Sequence, residues 1–170
     1  MPENRHDRYR IPSARWATWD YGSNAPYFVT ICTKQLIPHF GSIKNRTIHY
    51  TQLGNHAVQC WQAIPDHFPF AILDAFVVMP NHVHGIIVIN KPQNEQKEWQ
   101  TNQFGPQSQN LASIVRGYKV AVTIASRSFA PLFEWQPRYH DHVIRNEKSL
   151  HRIRHYINTN IENWEADRFY

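Results

Sequence analysis

The densest β-branched and aromatic run in the first part of the chain is Tyr27-Phe28-Val29-Thr30-Ile31-Cys32-Thr33, which predicts a strand. Phe40 to Thr51 predicts a short hairpin turning at Lys44-Asn45-Arg46. Leu53, Ala57, Trp61 and Ile64 then recur at helical spacing, and Pro65 is expected to close that helix. Ile72 to Met79 and His82 to Ile89 are two apolar runs separated by Pro80-Asn81, which is turn chemistry between paired strands. Asn110 can cap a helix whose residues Leu111, Ile114, Val115, Tyr118, Val122 and Ala125 form one apolar stripe. A strand around Tyr139 to Ile144 follows, and Asn146 with Glu147 opens a last helix carrying Leu150, Ile153, Ile157, Ile161 and Trp164. This order predicts an α+β fold: a ferredoxin-like or RRM-like α/β sandwich with a central antiparallel sheet and an extra C-terminal helix. There is no internal repeat.

Length bounds the domain count. At 170 residues and 42% hydrophobic, the chain has room for one domain with a sizeable core. We expect that domain over 25–170, preceded by a basic arm over 1–24 that carries Arg5, Arg8, Arg10, Arg15, Trp16 and Trp19 without a clean period. Lys91 to Asn110 is rich in Gln, Asn, Lys, Glu and Pro, which predicts a mobile insertion. Cys32 and Cys60 have neither redox nor zinc-knuckle spacing, the first residues lack the apolar core of a secretory leader, and no apolar run approaches about 20 residues. The expected setting is therefore the cytoplasm, beside the nucleoid, with no membrane partner. A formal charge of +5 and eleven histidines favour a polyanionic partner, because Lys and Arg that neutralise phosphates release condensed counterions.

The strand His82 to Ile89 holds the clearest candidate chemistry. Residues two apart on a strand point to the same face with Cβ atoms roughly 7 Å apart, so His82 and His84 can aim imidazole nitrogens at one metal ion. Ile86 and Val88 share the histidine side while Ile87 and Ile89 lie opposite, which implies that both faces of the sheet are covered. The leftover C-terminal helix is the natural cover for the histidines. Taken alone, a His-x-His strand is equally met by two histidines whose nitrogens bond backbone or water.

The full string Met79-Pro80-Asn81-His82-Val83-His84-Gly85-Ile86-Ile87-Val88-Ile89 resembles the His-hydrophobic-His strand of the HUH single-tyrosine transposases, specifically the REP-associated tyrosine transposase branch. Tyr27-Phe28-Val29-Thr30, Ile114 to Thr123 with Tyr118-Lys119, Trp135 to Asn146, and Tyr156-Ile157-Asn158-Thr159-Asn160 match in the same order, so the resemblance runs from Tyr27 to Trp164. It implies an HUH endonuclease fold, a divalent metal, and DNA strand transfer through a 5′-phosphotyrosine intermediate. It also implies Tyr156 as nucleophile and Asn160 as third ligand beside His82 and His84. Members often carry Pro directly after that asparagine; Ile161 stands here instead, so the helix is expected to continue a further turn.

Tyr156 and Asn160, four apart, sit one helical turn from each other and can reach one site. A phenol with a pKa of about 10 is a poor nucleophile at neutral pH and needs nearby positive charge or an activated phosphodiester. Mg²⁺ or Mn²⁺ on two imidazoles and an amide would supply the latter, mixed N/O ligation suiting Mn²⁺ and availability favouring Mg²⁺. Tyr118 is the rival nucleophile, lying within an apolar stripe that marks it as core. Arg5, Arg8, Arg10, Arg15, Arg116, Lys119, Arg138, Arg145 and Arg152 are the candidate phosphate contacts on single-stranded or hairpin DNA, with Trp16, Trp19 or Trp135 available to stack on unpaired bases. Two other readings stay open: a non-catalytic RRM-like nucleic-acid-binding module, and a metal-dependent phosphodiesterase that uses water while Tyr156 only packs. Monomer or homodimer is also left open.

Overall fold

The structure, a computed structural model, describes residues 19–92, 108–166 and 169. Six strands and four helices follow in the order β1 Ala25–Cys32, β2 Gly41–Lys44, β3 Thr47–Tyr50, α1 Gln52–Gln62, α2 Ile64–His67, β4 Ala71–Val78, β5 His82–Ile89, α3 Leu111–Ser126, β6 His140–Val143 and α4 Glu147–Thr159. The main sheet has the order β4-β5-β1-β6 with antiparallel neighbours throughout, and β2-β3 forms a separate hairpin. The arrangement is the predicted ferredoxin-like sandwich: α1 and α3 are the crossover helices of one face, and α4 is the extra helix of the other.

Strand periodicity separates the two faces. Tyr27, Val29, Ile31, Val83, Ile87 and Ile89 point into a core shared with Leu53, Ala57 and Trp61 of α1 and with Leu111, Ile114, Val115, Tyr118 and Val122 of α3. Each fully buried aliphatic here contributes about 1.5–3 kcal/mol of transfer free energy. Val77, Met79 and Ile86 point the other way, onto Ile157 with Leu150, Ile153 and Ile161 packed around it. Asn110 caps α3 through a reciprocal pair with Ser113, and Asn146 caps α4 by accepting from Ser149 N–H.

Four expectations are corrected. Pro65 does not end the α1 region; it occupies the first turn of the one-turn helix α2, where its missing N–H costs nothing. Helix α4 does not continue past Asn160: the Asn160 N–H bonds Ile157 O, three residues back, and the Asn163 amide takes Thr159 O. Its turn is tightened there, and the chain resumes as a 3-10 turn at Trp164–Ala166. The arm gives way to the folded body before residue 25, since Trp19 and Tyr21 pack on the main core and Trp19 Nε1 donates to the Tyr27 hydroxyl at 3.1 Å. Trp19 is therefore an anchor and not a base-stacking surface. At the other end of the β5 strand, Lys91 is tied down as well, exchanging hydrogen bonds with Asn24 and reaching Gly22 O through Nζ. The rest of the predicted arm, with Arg5, Arg8, Arg10, Arg15 and Trp16, lies outside the described residues, as does most of the predicted insertion. Among the described residues no helix is long and apolar enough to cross a membrane.

A candidate active site between the histidine strand and the last helix

The antiparallel register of β1 and β5 sets Thr30 opposite His84 and Cys32 opposite His82. Because His82 and His84 share the α4 face, their rings meet at 4.4 Å between centroids and are almost wholly buried, at 0% and 1% exposure. Each ring is held at Nδ1 by an oxygen. His82 Nδ1 lies 2.8 Å from Asn81 Oδ1, and His84 Nδ1 lies 2.8 Å from Thr30 Oγ1. Phe28 stacks on His84 at 5.3 Å. Trp164 and Phe169 lie against His82 at 6.0 and 4.7 Å.

Helix α4 brings the tyrosine to this cluster. Tyr156 is 39% exposed, yet its hydroxyl sits 3.0 Å from His84 Nε2 and its ring meets Phe28 edge-on at 6.3 Å. The phenol is thus anchored at the sheet and open on its other side. Asn160, 2% exposed, lies four residues beyond Tyr156, which contacts His84, and four before Trp164, which stacks on His82. What orients α4 is partly the apolar stripe and partly an ion pair: Arg154 donates from Nε at 2.9 Å and from Nη2 at 2.6 Å to the Asp74 carboxylate. Asp74 is available because β4 carries an irregularity between Leu73 and Phe76 that turns an extra residue toward the helix. Its hydrogen bonds to Arg154 hold the Asp74 carboxyl below the ordinary carboxylate range.

The two candidate tyrosines separate sharply. Tyr118 is fully buried, donates its hydroxyl to Ala57 O at 3.2 Å, and is pushed well above the ordinary phenol range by burial, so it is core. The candidate cations also divide. Arg116, Arg138, Arg145 and Arg152 are exposed, but Arg116 is on α3, behind the sheet, whereas Arg145 and Arg152 flank and line α4. Lys119 is half-buried, donates Nζ to Gln136 O and Arg138 O at 2.8 and 3.1 Å, and lies over the Trp135 ring; burial lowers its pKa. It staples the loop before β6 and offers little to phosphate. Trp135 is likewise pinned, its Nε1 bonded to Lys119 O.

Among the described residues no three His, Cys, Asp or Glu side chains cluster as a metal site, so the candidate donor set is two imidazoles and one amide. That set fits a divalent ion in its chemistry. With an oxygen partner at each Nδ1, Nε2 is the nitrogen that each ring would offer an ion, the usual arrangement of metal-bound histidine. Sequence reasoning missed Asn81, Thr30, Asp74 and Arg154. Asn81 was visible as turn chemistry beside His82; the other three depend on register and on a strand irregularity that no local period reports.

Comparison with known proteins agrees with this architecture. The fold is shared with a REP-associated tyrosine transposase, whose structure bound to a REP hairpin superposes with a TM-score of 0.59 at 21% identity, covering 96% of this chain and 74% of that one. In sequence, the chain belongs to one family with an uncharacterized protein of Haemophilus influenzae (strain ATCC 51907 / DSM 11121 / KW20 / Rd), 41% identical over 167 residues that span 93% of this chain and 92% of the relative. No family model matches the chain.

Proposed function

We propose that this protein is a transposase-like strand transferase that cuts and rejoins single-stranded, hairpin-containing DNA through a 5′-phosphotyrosine intermediate on Tyr156. The observation that carries this reading is the convergence of the Tyr156 hydroxyl with His84 Nε2 at 3.0 Å, beneath a helix laid across the histidine strand. Tyr156 meets His84 within one chain, so the reading calls for no partner subunit. A solved structure with the same fold is bound to a REP hairpin, which supports hairpin DNA as the substrate class.

His82, His84 and Asn160 would hold Mg²⁺ or Mn²⁺, which supplies Lewis-acid polarisation of the scissile phosphate. The protein's own part is positional. Phe28 and the α4 stripe fix the Tyr156 ring, and Asp74 with Arg154 fix the helix. The phenolic oxygen forms a bond to phosphorus as the bond to the 3′-oxygen breaks; the phenol gives up its proton to water and the departing oxygen takes one back to leave as a 3′-hydroxyl, so the proton count is unchanged. The tyrosine ester keeps the phosphodiester's energy, so a 3′-hydroxyl can reverse the step and join new ends. Arg152 and Arg145 beside α4 would hold flanking phosphates.

The test is incubation of the chain with a panel of labelled single-stranded hairpins in Mn²⁺, followed by peptide mapping of any protein-DNA adduct. An adduct on Tyr156, lost in Tyr156→Phe together with cleavage, is the expected result. Cleavage that survives Tyr156→Phe would establish a water-using phosphodiesterase. Binding that never leads to cleavage or adduct would establish a nucleic-acid-binding module.

A further inference from the structure

We propose that Asn81 is a positioning residue that locks His82 in the Nδ1-protonated tautomer and so presents its Nε2 lone pair to a metal ion. Asn81 stands in the tight turn between β4 and β5 and is 5% exposed. Its two amide hydrogens go to two carbonyls, Leu36 O at 3.1 Å and Phe169 O at 2.8 Å. Turning the amide over would set its oxygen against both carbonyl oxygens, so Oδ1 must face His82 Nδ1, where it lies at 2.8 Å. An amide oxygen only accepts. Nδ1 therefore carries the hydrogen, and a neutral imidazole with hydrogen on Nδ1 keeps its lone pair on Nε2.

The backbone of Asn81 is fixed from the other side, its carbonyl accepting from Thr33 N–H at 2.9 Å and from Thr33 Oγ1 at 3.0 Å. A side chain clamped at two carbonyls, on a backbone itself held by Thr33, cannot swing to suit the ring; the ring must suit it. In solution a histidine favours the opposite tautomer, which would turn an N–H toward the site in place of a ligand. The role of His82 as ligand rests on the function proposed above, whereas its tautomer does not.

The experiment is ¹⁵N-histidine NMR on the full chain, with Mn²⁺ titration as a second readout. Wild-type His82 is expected as the Nδ1–H form. In Asn81→Leu, which keeps the branched outline and removes the oxygen, the opposite tautomer becomes populated and Mn²⁺ affinity falls about tenfold to a hundredfold. A wild-type His82 found as Nε2–H overturns the proposal without reference to any variant, and so does a folded Asn81→Leu whose tautomer and Mn²⁺ affinity are unchanged. If wild-type binds no Mn²⁺ while the tautomer still follows residue 81, the metal reading fails and the hold of Asn81 on the ring stands.

Discussion

Where His84 carries its hydrogen on Nδ1, toward Thr30, its Nε2 lone pair has two claimants, the Tyr156 hydroxyl at 3.0 Å and the ion proposed above. A nitrogen serves one of them at a time, so ion binding must break that hydrogen bond. Replacing Tyr156 with Phe removes the competitor. The net worth of such a bond is about 0.5–1.5 kcal/mol, so Tyr156→Phe should bind Mn²⁺ about two- to tenfold more tightly by calorimetry while losing all adduct formation. Weaker Mn²⁺ binding in the variant would mean that the phenol helps to hold the ion instead. On the opposite face of the same strand, Gly85 is required by close approach: a Cβ there would stand 2.2 Å from Trp61 Cζ2, in the packed ring system Trp61 forms with Phe76 and Tyr118. Gly85→Ala should cost about 1–3 kcal/mol in chemical unfolding, because a buried indole has nowhere to go. At this scale the sequence was readable where spacing alone decides, as for His82 and His84. It was silent where a neighbour comes from another strand: Thr30 reaches His84 across fifty-four positions of chain, and only the β1–β5 register brings it there.

Helix α4 holds the phenol over the histidines, and what fixes α4 is the joint with β4. Its stripe of Leu150, Ile153 and Ile157 sets which side faces the sheet, but a stripe allows sliding along the axis. The two-pronged grip of Arg154 on Asp74 removes that freedom. Asp74→Asn should therefore slow adduct formation about tenfold to a hundredfold, the usual cost of a reacting group displaced by an ångström or so, with hairpin binding little changed. The pair also predicts a pH dependence. The folded pKa of Asp74 lies below its ordinary value of 3.8, so its contribution to stability is present above that value and is lost as the pH falls below it. The stability difference between wild-type and Asp74→Asn should narrow as the pH is lowered below 3.8 in acid-unfolding curves. Helix existence and capping were legible in Asn110, Asn146 and the apolar periods. The end of α4 was not, because its stop comes from Thr159 and Asn163 capturing carbonyls, with no proline to announce it.

The molecule divides its work between the two faces of one sheet. Helices α1 and α3 close the first face over a core of Trp61, Tyr118 and the odd-numbered residues of β1, while the second face carries the histidines under α4. A net charge of +5 says that anions are attracted; it does not say to which face. Exposed cations on α3 and at its C-terminal end, Arg116 and Arg127, border a cavity of about 410 Å³ behind the sheet, away from the phenol. Arg152 lies one turn before Tyr156 on α4 and is exposed. If the scissile strand passes over α4, Arg152 contacts phosphate and Arg116 does not. Each phosphate contact on single-stranded DNA contributes about 0.7 to the slope of log affinity against log salt. Arg152→Ala should weaken binding of a single-stranded hairpin and flatten that slope by about this amount, across different loop sequences alike. Arg116→Ala should leave both affinity and slope near wild-type. The reverse pattern would put the DNA on the α3 face, and with it the strand on the wrong side of the sheet for Tyr156 to reach.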